Sequence, residues 1–287
     1  MSNLIPLIDA DILRYEVGYA AETGWKAITE ERETIPPFDY VAKILNERIA
    51  SICKSVGTTA TPRLFLTEGK TFRYDLAKTK PYKGTRTVKK PWHYENISVY
   101  MRDVLGAETV RVIEADDKLA ITHVSSKETT IICSRDKDLR QVPGWFFSWE
   151  LGRQPSFGPI YIDTLGTISL SDDHKSIKAT GLYSFYAQVL TGDKVDNIPG
   201  LLGCGPVAAY DILTCEPEQN KYNDPSDQSL IDRVVCAYRE YYLHVENPDD
   251  ILDIWAERLL EQGRLVWMTR KLYLDGSPVL WELGVEE

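Results

Sequence analysis

Four short apolar runs punctuate the first half of the chain, and each leads to an acid: Leu4 to Ile8 before Asp9, Arg63 to Thr67 before Glu68, Thr109 to Ile113 before Glu114, and Thr130 to Ser134 before Asp136. Apolar runs this short predict buried strands. Between them apolar positions recur at helical spacing. Val41, Ile44, Leu45, Ile49, Ile52 and Val56 fall on one face, and Trp92 to Leu105 also predicts a helix. Strand and helix in alternation imply an α/β fold with a central, mostly parallel sheet flanked by helices. Ligands bind such sheets outside the carboxyl ends of the strands, so the four acids are expected to meet in one crevice. The alternative for each is a helix cap, since Asp and Glu are favoured at helix N-termini.

Beyond about residue 178 the pattern changes. Helices are predicted over Leu182 to Leu190, Pro206 to Leu213, Gln228 to Tyr242 and Ile251 to Gln262, separated by turns containing Gly and Pro. Gly152 to Asp173, rich in Gly, Pro, Ser and Asp, predicts turns or a hairpin. The expected organisation is an α/β domain over 1–178 followed by a helical part over 179–287.

Composition narrows the class. Hydrophobic residues make up 43% and charged residues 26% of the 287, the balance of a soluble globular protein. No run approaches the roughly 18 apolar residues of a membrane helix, and no basic segment leads into an apolar signal region, so a cytoplasmic protein with no membrane partner is expected. Five scattered cysteines without C-x-x-C spacing give neither a disulfide framework nor a thiolate zinc site, and His93, His123, His174 and His244 match no zinc spacing. A net charge of −10 counts against a polyanionic partner. Between Lys70 and Lys90, however, eight basic residues face the single acid Asp75. Charge is screened over about 8 Å at physiological salt, so this stretch can attract nucleic acid whatever the rest carries.

Three acidic clusters are the candidate chemistry. In Glu114-Ala-Asp-Asp117 the first acid ends a strand while Asp116 and Asp117 open a helix; clustered carboxylates repel unless a cation relieves them, and hard oxygen donors suit Mg²⁺ or Mn²⁺. Capping accounts for one of these acids equally well. Asp136 and Asp138 sit at a strand-to-helix turn and could approach one ion or simply face solvent. Asp193 and Asp196, three apart, would share a face of a helical turn and could serve a second cation. The run Gly200-Leu-Leu-Gly-Cys-Gly205 then opens a helix at Pro206, whose amides form an anion site, or is an ordinary helix connection. Asp11, two residues after Asp9, could also face the site, but is expected to cap the first helix.

Taken in order, Asp9, Glu68, Tyr82-Lys83-x-x-Arg86, Glu114-Ala-Asp-Asp117, Asp136-x-Asp138 and Gly192-Asp193-x-x-Asp196-Asn-Ile-Pro-Gly200-x-x-Gly203-x-Gly205 resemble the flap-endonuclease superfamily. The likeness is to the bacteriophage 5′-to-3′ exonucleases and the 5′-nuclease domains of bacterial DNA polymerase I, and it spans roughly Leu4 to Leu213. It implies a nuclease of PIN-like fold that degrades DNA from 5′ ends or trims 5′ flaps and RNA primers, working alone or with replication proteins in the cytoplasm, that of a host if phage-encoded. The resemblance further implies two or three Mg²⁺ ions, replaceable by Mn²⁺. Asp9, Glu68, Glu114, Asp116, Asp136 and Asp138 would surround the first, with Asp117, Asp193 and Asp196 nearer the second. Lys83 and Arg86 would neutralise phosphate charge at the base of an arch over about 70–95, Tyr82 would stack on a terminal base, and Lys89 and Lys90 would bind the strand. Gly200, Gly203 and Gly205 would grip the duplex in a helix-hairpin-helix element over about 192–213, with K⁺ held by carbonyls. The chain departs from the family in carrying Glu68 where Asp is usual, and Val207 where the hairpin usually has Lys. Rival readings are a silent DNA-junction binder and a PIN-type RNA nuclease. Retention of all nine acids opposes the first and the hairpin element opposes the second.

Overall fold

A computed structural model describes residues 4–29, 34–215, 227–245 and 251–283. In chain order the elements are β1 (Ile5–Asp9), α1 (Ala10–Thr29), α2 (Phe38–Ser55), β2 (Arg63–Thr71), α3 (Arg73–Leu76), α4 (Tyr94–Asp103), β3 (Glu108–Val112), α5 (Ala115–Ser125), β4 (Thr130–Cys133), β5 (Gly144–Ser148), β6 (Phe157–Ile162), β7 (Ile168–Leu170), β8 (Ile177–Ala179), α6 (Gly181–Thr191), α7 (Pro206–Thr214), α8 (Asp227–Val245) and α9 (Ile251–Val266). No helix among the described residues is long and apolar enough to cross a membrane.

The chain forms two compact units. The first comprises the chain up to Thr71 with Thr87–Leu139 and Gly144–Tyr161; the second takes Phe72–Arg86, Arg140–Pro143 and the chain from Ile162 onward. This differs from the expected division at 178/179. Two excursions from the α/β part pack with the helical part, which a linear reading of periodicity does not detect.

In the first unit the sheet order is β3-β2-β1-β4-β5-β6, with β1–β2, β1–β4, β2–β3 and β4–β5 all parallel. Continuous burial of β1 after Ile5 and of all β4 explains their unbroken apolar runs, because parallel strands are covered on both faces. Leu13 and Val17 of α1, Leu45 and Ile52 of α2, and Ile97 and Met101 of α4 complete this core, each fully buried side chain contributing about 1.5–3 kcal/mol. β2 runs past the expected end at Thr67 to Thr71, its register against β3 shifting between Thr67 and Thr71. Glu68 therefore lies within a strand and not at its carboxyl end.

The second unit is built on α6 to α9, around Phe185, Leu190, Leu213, Val234, Tyr238 and Leu259. The expected hairpin is present as β7 paired antiparallel with β8, somewhat later than Gly152 to Asp173. Arg73 of α3 is fully buried here: its Nε donates to the Leu265 carbonyl at 3.0 Å and a terminal nitrogen to the Trp267 carbonyl at 2.7 Å. Its guanidinium also lies 4.8 Å from the Phe72 ring. Replacing Arg73 by Met keeps the stem but strands those carbonyls. Urea titration of Arg73→Met is expected to show a loss of about 2–4 kcal/mol; a loss below about 0.5 kcal/mol, the range of ordinary surface changes, would contradict this role.

Candidate functional site

β1 has β2 on one side and β4 on the other, so the chain order reverses direction there, the place outside the strands' carboxyl ends where sheets of this kind bind ligands. Asp9 is the last residue of β1, and the pairing Ile8↔Cys133 brings Asp9 beside Ser134. Asp9 is 2% exposed. Its Oδ1 accepts the amides of Asp11 and Ile12 at 3.0 and 3.4 Å, capping α1, and its Oδ2 accepts the Ser134 hydroxyl at 2.8 Å. Ser134 Oγ in turn accepts the amide of Asp136 at 2.9 Å, and Asp136 Oδ1 accepts that of Asp138 at 2.8 Å. One hydroxyl thus ties the acids after β1 and β4 together.

From the other side of the sheet, β3 ends on Val112 with φ of 72°, a left-handed conformation that β-branched residues rarely adopt. Two residues on, Glu114 is the N-cap of α5 in a reciprocal capping box with Asp117, whose carboxylate accepts the Glu114 amide at 3.0 Å. The capping reading of this motif holds for two of its acids. Asp117 and Glu114 cap the helix, whereas Asp116 Oδ1 is buried with no hydrogen-bond partner.

Electrostatics mark which acids share space. Burial pushes the Asp9 carboxyl up to about 7, and repulsion from Asp11 and Asp136 adds to it. Asp116 is driven well above the usual carboxylate range by burial and then by Asp9, Asp136, Glu114 and Asp11. Asp11 is raised chiefly by burial, with Arg14 opposing. Five acids therefore sense one another. Asp11, for which capping α1 is the preferred expectation over facing the site, belongs among them: its Oδ1 accepts the Thr67 amide at 3.0 Å and the Arg14 guanidinium. Neither Asp11 nor Ser134 carried a sequence signal beyond its nearness to Asp9 or Asp136. Among the described residues no group of three or more His, Cys, Asp or Glu is arranged to hold a metal ion directly. Mg²⁺ does not require one, since it keeps several waters and is held by one or two carboxylates plus substrate phosphate. The unpartnered Asp116 Oδ1 amid mutually repelling acids fits such an ion.

Other expected residues are placed differently. Glu68 is exposed and pairs across the sheet with Arg111 at 3.0 Å, and Asp117 is committed to its cap. Asp193 and Asp196, in the second unit, form no helical turn: Asp193 Oδ1 accepts the amides of Val195 and Asp196 at 2.7 and 3.2 Å in a loop closed by an Asp193–Ile198 bridge. Asp196 holds the basic segment, its two oxygens taking Arg86 and the Tyr82 hydroxyl, the latter at 2.9 Å. Tyr82 is 4% exposed and edge-on to Tyr74, so it is core and not the open stacking ring expected. Lys83 stands at φ of 54° with its amide on the Asp196 carbonyl at 2.9 Å. Gly192 and Gly200, both at positive φ, touch so closely that a Cβ on Gly200 would meet the Gly192 nitrogen at 2.3 Å. Gly203 and Gly205 have open space around them. Lys89 and Lys90 are exposed in the first unit, beside Trp92 at 67% exposure.

No family model and no curated protein sequence matches the chain. Among solved structures, a bacteriophage T5 D15 flap endonuclease in a pseudo-enzyme-product complex with DNA and metal ions aligns over 90% of this chain and 98% of its own, at 17% identity and a TM-score of 0.50. The chain shares the fold of that structure. T5 D15 crystallised with metal ions aligns over 91% and 99% at 19% identity and a TM-score of 0.48, and a T5 5′-exonuclease mutant over 91% and 99% at 17% and 0.48.

On this fold, the raised Asp9 pKa fixes a stability trend. The folded state binds the Asp9 proton more tightly than the unfolded chain between the ordinary carboxylate value of 3.8 and about 7. Its contribution is thus present below that window and lost as pH rises through it. In chelator, melting temperature should fall across this range, Asp9→Asn should melt higher than wild type at pH 8, and Mg²⁺ should raise wild type more than the variant. A pH-independent melt unaffected by Mg²⁺ would oppose this account.

Proposed function

We propose that the chain is a divalent-metal-dependent nuclease that hydrolyses DNA phosphodiester bonds at 5′ ends or 5′ flaps. The observation that carries this reading is Asp116 Oδ1, buried without a partner among acids gathered at the sheet's switch point. Asp116, with Asp9, would hold the cation, and Asp11, Glu114, Asp136 and Asp138 would act through water. When bound, Mg²⁺ or Mn²⁺ supplies Lewis-acid activation of water and charge neutralisation at phosphate. Ser134 and Thr67 orient these carboxylates through the hydrogen bonds described above. Glu68, Asp117, Asp193 and Asp196 are assigned structural duties in place of the ligand roles the resemblance implies.

Lys83 and Arg86 in the second unit, and Lys89 and Lys90 in the first, supply positive charge for the DNA backbone. Base stacking passes from Tyr82 to Trp92. Its ring is exposed between lysines and the next helix, and its amide donates to Glu22 of α1 at 2.6 Å. About 16 Å of α1 separates Glu22 from Asp11, short enough for one bound strand to reach both Trp92 and the acids.

With Mg²⁺ present, 5′-labelled duplex and flap DNA should be cleaved, and Asp116→Asn should lower kcat at least about 100-fold while DNA binding persists. Cleavage of matched RNA in preference to DNA would instead select the RNA-nuclease reading. Folded protein inactive with both Mg²⁺ and Mn²⁺ rules out the enzyme. Separately, Trp92→Ala should weaken single-stranded DNA binding about tenfold and Trp92→Phe much less; equal affinities for all three proteins would remove Trp92 from the interface.

A further inference from the structure

Two neighbouring side chains of α9 reach two different segments of the second unit. Glu261, 7% exposed, accepts the backbone amides of Lys78 and Thr79 on Oε1, each at 2.7 Å, and the Thr79 hydroxyl on Oε2 at 2.5 Å. Arg258, one turn earlier, donates to the Thr79 hydroxyl oxygen at 2.7 Å and pairs with Glu261 at 3.5 Å. Gln262, 1% exposed, accepts the Gly200 amide on Oε1 at 3.0 Å. Residues 78–79 and Gly200 belong to no helix or strand, so these amides have no ladder partners, and buried or half-buried amides need one. A carboxylate withdrawn from water is costly unless its oxygens are bonded; this one takes three donors from a single short segment.

The far end of that segment meets the hairpin turn directly. Lys83 donates its amide to the Asp196 carbonyl, Asn197 Nδ2 donates to the Pro81 carbonyl at 2.9 Å, and the Tyr82 hydroxyl reaches Asp196. The ties close a ring running from Glu261 through 78–83, across to Asp196, along the turn to Gly200, and back through Gln262. Nothing in the motif pattern of the chain pointed to α9, which lies beyond the stretch that carries the family resemblance.

We propose that Glu261 and Gln262 are positioning residues that set the spacing between the basic segment, 78–86, and the Gly200–Gly205 loop, and so the geometry in which the second unit presents cations and backbone amides to DNA. The inference rests on the DNA-nuclease reading for its functional half only. Its structural half is tested by hydrogen exchange on the full chain without DNA. Glu261→Ala should speed exchange of the Lys78 and Thr79 amides at least about tenfold, while Glu261→Gln, which keeps an oxygen acceptor, restores most of the protection. Gln262→Leu should release the Gly200 amide and leave 78–79 protected. With 5′-flap DNA, Glu261→Ala should raise KM about tenfold with a smaller change in kcat, again mostly recovered by Glu261→Gln.

Unchanged exchange at 78–79 in Glu261→Ala overturns the proposal. So does a KM effect of equal size in Glu261→Ala and Glu261→Gln, because a merely structural loss does not follow the acceptor. Should wild type fail to cut DNA, the nuclease reading falls by itself and the exchange data alone decide whether the ring exists.

Discussion

Five carboxylates share the carboxyl edge of one parallel sheet, and the strands around Asp9 keep out the water that would ordinarily screen them. Two unit charges about 6 Å apart at an effective dielectric near 20 repel by about 3 kcal/mol, and here Asp9, Asp11, Glu114, Asp116 and Asp136 raise one another's proton affinity. The chain cannot relieve the strain by swinging Asp9 away, because both of its oxygens are engaged, one capping α1 and the other bonded to Ser134. Relief must come from outside, as a proton or a cation. Thr67 and Arg14 oppose the charge only at Asp11, and Asp116 Oδ1 has no hydrogen-bond partner among the described residues.

In the second unit acids do the opposite work. Asp196 and Glu261 are each bonded to donors from the basic segment, so their charge organises backbone and does not await a ligand. A stretch of eight basic residues would be expected to fray in water. Here its middle is anchored at 78–79 and again at 81–86, with Tyr82 buried between. The same residue type therefore serves two ends, and the difference lies in what faces its oxygens.

The sheet was legible because parallel strands buried on both faces read as unbroken apolar runs, and three of the acids at their ends, Asp9, Glu114 and Asp136, fell where strand length implied. Glu68 did not, since a register shift prolongs β2 beyond its apolar run and no period records an irregularity. Asp117 and Asp116 are neighbours in sequence with different surroundings, one in a cap and one unpartnered, a distinction set by the helix's first turn and not by composition. Tyr82 carried a family role that its own packing denies it, while Trp92, read only as the start of a helix, is the open ring. Glu261 and Gln262 were invisible because their partners lie far away in the chain: a side chain that accepts backbone amides leaves no pattern at either end. The compact units are likewise divided elsewhere than at 178/179, because excursions such as 72–86 are recruited by tertiary contacts.

A cation entering this site would displace protons from its buried acids. Calorimetry of Mg²⁺ binding to the full chain at pH 6.5, run in two buffers of different ionisation enthalpy, counts those protons. Because Asp9 titrates at about 7 and Asp116 higher than usual, binding should release protons, and the release should shrink in Asp116→Asn. Tight binding with no proton release, or none detected at all, would contradict it.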